Sequence, residues 1–327
     1  MIISRTPFRI SFFGGGTDYP AWYLRNGGAV ISTTFDKYCY VTCRELPPFF
    51  DHKYRIAYSK IENVKEIGQI EHRAIRAVLK QFNLPQGLEI HCDADLPARS
   101  GLGSSSSFVV GLLNCLKAFQ GKRVSQDWLT HNAIKTEREL LKETVGSQDQ
   151  AAAAYGGFNQ ISFSKSGDIS VTPIVMTAEK KSLLNDHLML FYTGVSRISS
   201  DVATTQVANI DKKVDQLHRM RAIVDEGVDI LTSETDIRAF GELLDASWKF
   251  KRTLSDKVSN FHIDELYETA TRAGAIGGKI LGAGGGGFLL LFVEPEKQDD
   301  VKKALGELVY VPFKFENSGS QIIYYRQ

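Results

Sequence analysis

Pro97-Ala98-Arg99-Ser100-Gly101-Leu102-Gly103-Ser104-Ser105-Ser106-Ser107 runs straight into the apolar stretch 108–119, and the reading of the chain starts from that junction. A glycine-serine turn that opens a long buried helix gathers backbone N–H groups at the helix N-terminus, where the dipole favours an anion such as phosphate. The hydroxyls of Ser104 to Ser107 add donors and one oxygen ligand for Mg²⁺, much as a P-loop serine does, although the lysine of a Walker sequence is absent. The plainer alternative is a serine cap on a core helix.

Three further segments extend this picture. Downstream, Val145-Gly146-Ser147-Gln148-Asp149-Gln150 reads as a helix start, with Ser147 as N-cap and Gln150 completing a capping box. Asp149 then falls in the first turn, where a carboxylate is favoured and can orient or accept the proton of a substrate hydroxyl. An ordinary first-turn acid fits the same pattern. Between the two lies Glu137, on a helix expected over 125–142 beside Arg138 and Glu139; a Mg²⁺ ligand there must turn into a cleft, while most such glutamates face solvent. Near the N-terminus, Gly14-Gly15-Gly16-Thr17-Asp18-Tyr19 follows a strand carrying Arg9. Asp18 can accept bonds from sugar hydroxyls and Arg9 can meet phosphate charge, or the segment is a capped strand-to-helix turn. Last, Gly282-Ala283-Gly284-Gly285-Gly286-Gly287 has more glycines than a hairpin needs, which points to close packing against a ligand or another loop.

With 327 residues, two domains with a cleft between them are the natural expectation. The 39 basic and 38 acidic residues leave a net charge of +1, so no global field holds nucleic acid or an anionic membrane. No run of about 18 apolar residues reads as a membrane span. The N-terminus lacks the look of a signal peptide, and scattered cysteines (Cys39, Cys43, Cys92, Cys115) in apolar segments fit a reducing, cytoplasmic setting. Strands are expected at 2–12, 28–43, 87–94, 158–163, 169–174, 187–192, 277–281, 287–293, 309–315 and 321–325. Helices are expected at 66–82, 108–119, 125–142, 148–154, 198–231, 235–253, 262–274 and 296–308, with a domain boundary near 175–186. The pattern is α+β.

Taken together, the glycine-rich segments resemble, in order and placement, the motifs of the family of galactokinase, homoserine kinase, mevalonate kinase and phosphomevalonate kinase (GHMP). Pro7 to Tyr19 aligns with the first motif, Leu96 to Ser105 with the ATP-phosphate motif, and Lys279 to Phe288 with the third. The resemblance spans nearly the whole chain. It implies a ribosomal-protein-S5-like N-terminal domain (residues 1–180), which binds ATP, and a ferredoxin-like C-terminal domain (181–327). It implies ATP and Mg²⁺ as cofactors, with Pro97, Arg99, Gly101, Leu102, Gly103 and Ser104 to Ser107 at the nucleotide. Ser105 and Glu137 would hold the metal, with Asp149 as the catalytic carboxylate and Arg9 as stabiliser of the transferring charge. Gly15, Gly16, Thr17, Asp18, Gly284 and Gly285 would line the sugar site.

Gly15-Gly16 stand where galactokinases place Glu-His, which removes two polar contacts and points away from galactose. GGGTD, VGSQDQ and KILGAGGGGF look most like the heptose kinases, which phosphorylate D-glycero-D-manno-heptose 7-phosphate at the anomeric oxygen; fucose-type 1-kinases are near neighbours. A phosphorylated substrate calls for a second basic pocket. Lys249, Lys251, Arg252 and Lys257 are the candidates, and Lys249 and Arg252 share a helix face at i,i+3. A solvated helix face is the plain alternative. The expected partner is a small-molecule sugar or sugar phosphate, with neither nucleic acid nor membrane, and a homodimer is left open. A silent sugar sensor and an ATP-consuming decarboxylase are the rivals on the same scaffold.

Overall fold

Ile2–Phe13 alternates buried and half-buried side chains as far as Thr6 and is buried on both faces from there on, so two layers close over this strand. The computed structural model describes residues 1–194 and 199–326. Ile2–Phe13 lies in a 9-stranded sheet, antiparallel to Gly28–Glu45. The first half of Gly28–Glu45 pairs with Phe158–Phe163, which forms a hairpin with Ile169–Pro173, and its second half pairs with Leu88–Ala94. Tyr54–Ala57 runs parallel to Leu88–Ala94 and carries Ile61–Val64 at the edge, so the sheet is mixed.

The helix Ser104–Phe119 packs across Ile2–Phe13 and Gly28–Glu45. It can lie close because Gly111 has no side chain: a Cβ there would stand 2.8 Å from Thr6 Oγ1, and Ser4 Oγ instead donates to the Gly111 carbonyl at 2.9 Å. The opposite face of the sheet is covered by Val214–Thr232 and Arg238–Arg252. Phe240 meets Phe12 and Phe13 edge-on at 5.2 and 4.9 Å, and Phe12 stacks on Phe158 at 5.4 Å. Burying such rings at a seam contributes about 0.5–1.5 kcal/mol per pair beyond the area they remove from water. A second, antiparallel sheet in the order Val309–Tyr310, Leu188–Tyr192, Phe288–Val293, Ala275–Ile280 packs on Arg238–Arg252.

The two sheets are also tied by a buried lysine. The pairing of Ile2–Phe13 slips between Ser11 and Phe13, and such a bulge frees backbone acceptors from the ladder. Lys279, fully buried on Ala275–Ile280, donates to the carbonyls of Ser11 at 2.9 Å and Phe12 at 2.6 Å. An unpaired buried carbonyl is costly, so the lysine satisfies the bulge and fixes the strand that carries Arg9.

The architecture is α+β, as the pattern of elements predicts, with differences in detail. The helix expected over 66–82 begins at Arg73 after a short turn at Ile67–Gln69. The stretch 175–186, where a domain boundary is expected, is largely occupied by the helix Ala178–His187. The span 198–231 divides into Ser199–Ala208 and Val214–Thr232, and residue 198 lies outside the described residues. The C-terminal end departs from a division into 1–180 and 181–327. Phe315–Glu316 and Gln321–Tyr325 return to the first sheet and pair with Gly28–Glu45 and Ile2–Phe13. Among the described residues no helix is long and apolar enough to cross a membrane.

Candidate active site

Two segments far apart in sequence, the turn at Gly101 and the helix start at Asp149, meet at Arg9. Its Nε and Nη2 donate to both carboxylate oxygens of Asp149 at 2.7 and 2.8 Å, and its Nη1 donates to the Gly101 carbonyl at 2.7 Å. A planar guanidinium suits this bidentate grip. Arg9 is buried, while the Asp149 side chain keeps 27% of its surface exposed, so one edge of the pair faces outward. Gly103 sits against both: a Cβ there would lie 3.2 Å from Arg9 Cγ and 3.4 Å from the Asp149 carboxylate. Asp149 is therefore beside the start of Ser104–Phe119, where the first N–H groups of the helix have no intrahelical partner.

The first turn of that helix does not treat its four serines alike. Ser105 is exposed, and it is Ser106 whose hydroxyl donates to Glu137 at 2.9 and 3.0 Å, so the partnership expected of Ser105 falls to its neighbour. Ser107 is spent on the fold, its hydroxyl donating to the Pro7 carbonyl at 2.9 Å. Ser104 Oγ accepts from the N–H of Arg99, an exposed residue in the left-handed region at φ 58°. Pro97 is exposed, and its carbonyl accepts from Ser100 Oγ at 2.7 Å, which tightens the turn.

Glu137 is fully buried because its helix changes pitch. Gln126–Lys135 is α-helical, but Thr136–Leu140 widens into a π turn, and such turns often re-aim a functional side chain. Gln150 donates to the same carboxylate, so Ser147 and Gln150 do not form the expected capping box. Ser147 is instead held by Arg138 at 2.6 Å and lies 3.2 Å from the Tyr23 hydroxyl. Burial pushes the Glu137 carboxyl up to about 8, and the charge of Asp149 adds to the effect.

A carboxylate and a hydroxyl oxygen are hard donors that fit Mg²⁺. Among the described residues no group of three or more His, Cys, Asp or Glu side chains is placed to hold a metal. A metal here would thus rest on Glu137, Ser106 and the nucleotide's own phosphates, which is the usual manner of Mg²⁺.

Asp18 lies close enough to Asp149 to feel its charge. Gly16 N–H donates to its Oδ1 at 3.0 Å, Gln148 hydrogen-bonds it, and the Ser147 N–H donates to its carbonyl at 3.0 Å. Burial raises its carboxyl above the usual range, with Asp149 contributing. Gln148 is a member of the site that sequence reasoning missed: it is buried, stands 3.9 Å from where a Gly15 Cβ would be, and its Oε1 has no hydrogen-bond partner. Thr17, in contrast, is structural, its hydroxyl donating to the carbonyls of Gly14 and Ala29 at 2.8 and 2.9 Å.

The third glycine run packs on the other loops. A Cβ on Gly101 would stand 2.4 Å from the Leu281 carbonyl, and one on Gly282 would stand 2.6 Å from Gly101 Cα. Gly284 and Gly285 meet the backbone at Val258, and the Gly285 N–H donates to its carbonyl at 2.8 Å, so this end of the run also packs on a loop.

The expected second basic pocket does not form as drawn. Lys249 is exposed and paired with Asp245, and Arg252 is paired with Asp264. The i,i+3 spacing put them together on the outer face of Arg238–Arg252. The cation on the inner face is Lys251, buried, with its amine on the Gly282 carbonyl.

Gly146 is the most confined position around Asp18: a Cβ would fall 1.8 Å from Asp18 Oδ2. Gly146→Ala is expected to swing that carboxylate and cut kcat/KM for the sugar by about 10²-fold, a loss typical of a misplacement near 1 Å. Its Kd for Mg-ATP stays at the parent value. Steady-state kinetics and calorimetry check this, and an unchanged sugar KM counts against Asp18 as a sugar ligand.

The chain as a whole has relatives. The family described as GHMP kinases N terminal domain matches residues 69–157, and GHMP kinases C terminal matches residues 230–311. The D-glycero-alpha-D-manno-heptose 7-phosphate kinase of Campylobacter jejuni is 30% identical over 332 residues, covering 97% of each chain. The crystal structure of a D-glycero-D-manno-heptose 1-phosphate kinase from Bacteriodes thetaiotaomicron superposes with a TM-score of 0.81 and 25% identity over 100% of both chains. Lactococcus lactis galactokinase, solved with galactose, shares the fold at a TM-score of 0.74 and 19% identity, over 98% of this chain and 94% of its own. With both halves matched in order and a full-length relative at this identity, the chain belongs to the GHMP kinase family.

Proposed function

We propose that this protein is an ATP-dependent kinase that phosphorylates the anomeric hydroxyl of D-glycero-D-manno-heptose 7-phosphate. The observation that carries the kinase reading is the Arg9–Asp149 pair seated against Gly103, at the mouth of the glycine-serine turn. A heptose is supported by the names of both the Campylobacter and Bacteriodes relatives, and the 7-phosphate by the Campylobacter name, since the Bacteriodes title names the 1-phosphate.

In this reading the N–H groups at the start of Ser104–Phe119 hold the terminal phosphates of ATP. Bound Mg²⁺, held by Ser106 and Glu137, would neutralise phosphate charge. Asp18 and the free Oε1 of Gln148 take sugar hydroxyls and bring the anomeric oxygen toward Asp149. That oxygen forms a bond to the γ-phosphorus as the bond to the β,γ-bridging oxygen breaks, and the bridging electron pair leaves with ADP. Asp149 orients the hydroxyl and accepts its proton. Phosphoryl transfer passes through a loose transition state, so placement and charge neutralisation outweigh strong base catalysis, which suits a carboxylate locked by a guanidinium. That lock also favours a working kinase over a silent sensor.

The test is ADP release with Mg-ATP across hexoses, L-fucose, the free heptose and heptose 7-phosphate. The highest kcat/KM is expected for heptose 7-phosphate. A higher value for L-fucose, or for the unphosphorylated heptose, rejects the substrate assignment while leaving the kinase standing.

A further inference from the structure

Arg238–Arg252 buries the stripe Phe240, Leu244, Ser247, Trp248 and Lys251, so a lysine ends a row that otherwise faces the core. Lys251 is only 4% exposed, and among the described residues no carboxylate forms an ion pair with it. Its amine donates to the Gly282 carbonyl. Gly282 is in contact with Gly101, whose carbonyl takes Arg9 Nη1 at 2.7 Å. Two cations from distant parts of the chain thus stand on adjoining carbonyls where the glycine loops touch.

The surroundings are specific. Arg9 and Lys279 face Lys251 as like charges, and Asp18 and Asp149 as opposite ones. Arg9 is already committed to Asp149 through two bonds. A buried ammonium with one carbonyl partner is costly, and an anion delivered to the junction would relieve that cost. The amine has three N–H donors and spends one on Gly282.

We propose that Lys251 is a further catalytic residue of this site, a second cation that joins Arg9 in gripping the terminal phosphoryl group of the nucleotide where the two glycine loops meet. The assignment rests on the kinase reading above. Lys251 keeps its proton throughout; it neither accepts the sugar's proton nor forms a bond to phosphorus, and it neutralises oxygens on which charge develops during transfer. Burial, with the nearby Arg9 charge, lowers its amine to about 8 in the ligand-free protein, so the grip weakens as pH rises through that value.

The test compares Mg-ATP with Mg-ADP by calorimetry, because only ATP carries the phosphoryl group in question. The parent protein is expected to prefer ATP, and Lys251→Met to lose that preference. Its kcat falls on the order of 10²-fold or more, as for loss of one transition-state donor, with sugar KM within about threefold. Lys251→Arg recovers most of both. The parent's own preference shrinks between pH 7 and 9, which keeps the proposal testable if Lys251→Met does not fold. Ionisation of Glu137 over the same range acts on the metal of both nucleotides and cancels in the ratio. An ATP preference unchanged in Lys251→Met, or flat with pH in the parent, overturns the proposal and leaves Lys251 a tether for Gly282. A parent that binds neither nucleotide overturns the kinase reading together with it.

Discussion

Asp149→Asn is expected to bind Mg-ATP as the parent does and to turn over on the order of 10³-fold more slowly. The substitution keeps the shape that packs on Gly103, so the phosphate turn stays in place. It destroys the bidentate pairing: one oxygen still accepts from Arg9, but the new amide turns a donor toward the second guanidinium N–H. The anomeric hydroxyl then loses its acceptor, and Arg9 loses the partner that aims it at the transferring group. Isothermal titration with Mg-ATP and single-turnover kinetics separate the two effects. A variant retaining most of the parent's kcat removes Asp149 from the chemistry.

Glu137→Gln is expected to make the ligand-free protein more stable at pH 8 while impairing it as an enzyme. The folded-state carboxyl titrates near 8 because burial favours its protonated form, well above an ordinary glutamate. The folded state therefore binds this proton more tightly than the unfolded chain. The associated stability is fully present below the unfolded pKa and is lost as pH rises from about 4.5 through about 8. Glutamine, neutral throughout, escapes that loss and can still bond Ser106 and Gln150. Its unfolding temperature should exceed the parent's by at least about 2 °C at pH 8, with the gap closing toward pH 5. At the same time the Mg²⁺ concentration for half-maximal activity should rise by at least about tenfold. A parent whose ligand-free stability does not fall between pH 5 and 8 contradicts this burial argument. Gaining stability as function is lost is the signature of a site held against its own folding preference.

Much of this site was legible because it is written in local signals. The turn Gly101 to Ser107 ahead of an apolar run places a helix N-terminus, and the glycine runs announce close backbone approach. The position of Asp149 in a first turn fits an ordinary acid equally well, and its role came from the family resemblance. What escaped depends on angle and partner. Consecutive serines differ by about 100° around a helix, and no local rule tells Ser105 from Ser106 when Glu137 arrives through a π turn. Lys249 and Arg252 looked like a pair because i,i+3 neighbours share a face, but that face is the solvent one. The better signal was available in the apolar stripe from Phe240 to Trp248, which Lys251 continues. Gln148 offered only its place in the run Gly146 to Gln150. The bulge at Ser11 to Phe13 that captures Lys279, and the return of Gln321–Tyr325 to the first strand, are pairings across most of the chain's length. Hydrophobic periodicity carries no information about which strands become neighbours at that separation.

The most direct measurement is phosphorus NMR and mass analysis of what forms when the protein is given Mg-ATP and D-glycero-D-manno-heptose 7-phosphate. The account predicts ADP in equal amount with a heptose bisphosphate whose new signal is coupled to the anomeric proton. A phosphate on any other oxygen, or ADP formed with no phosphorylated sugar, would contradict it.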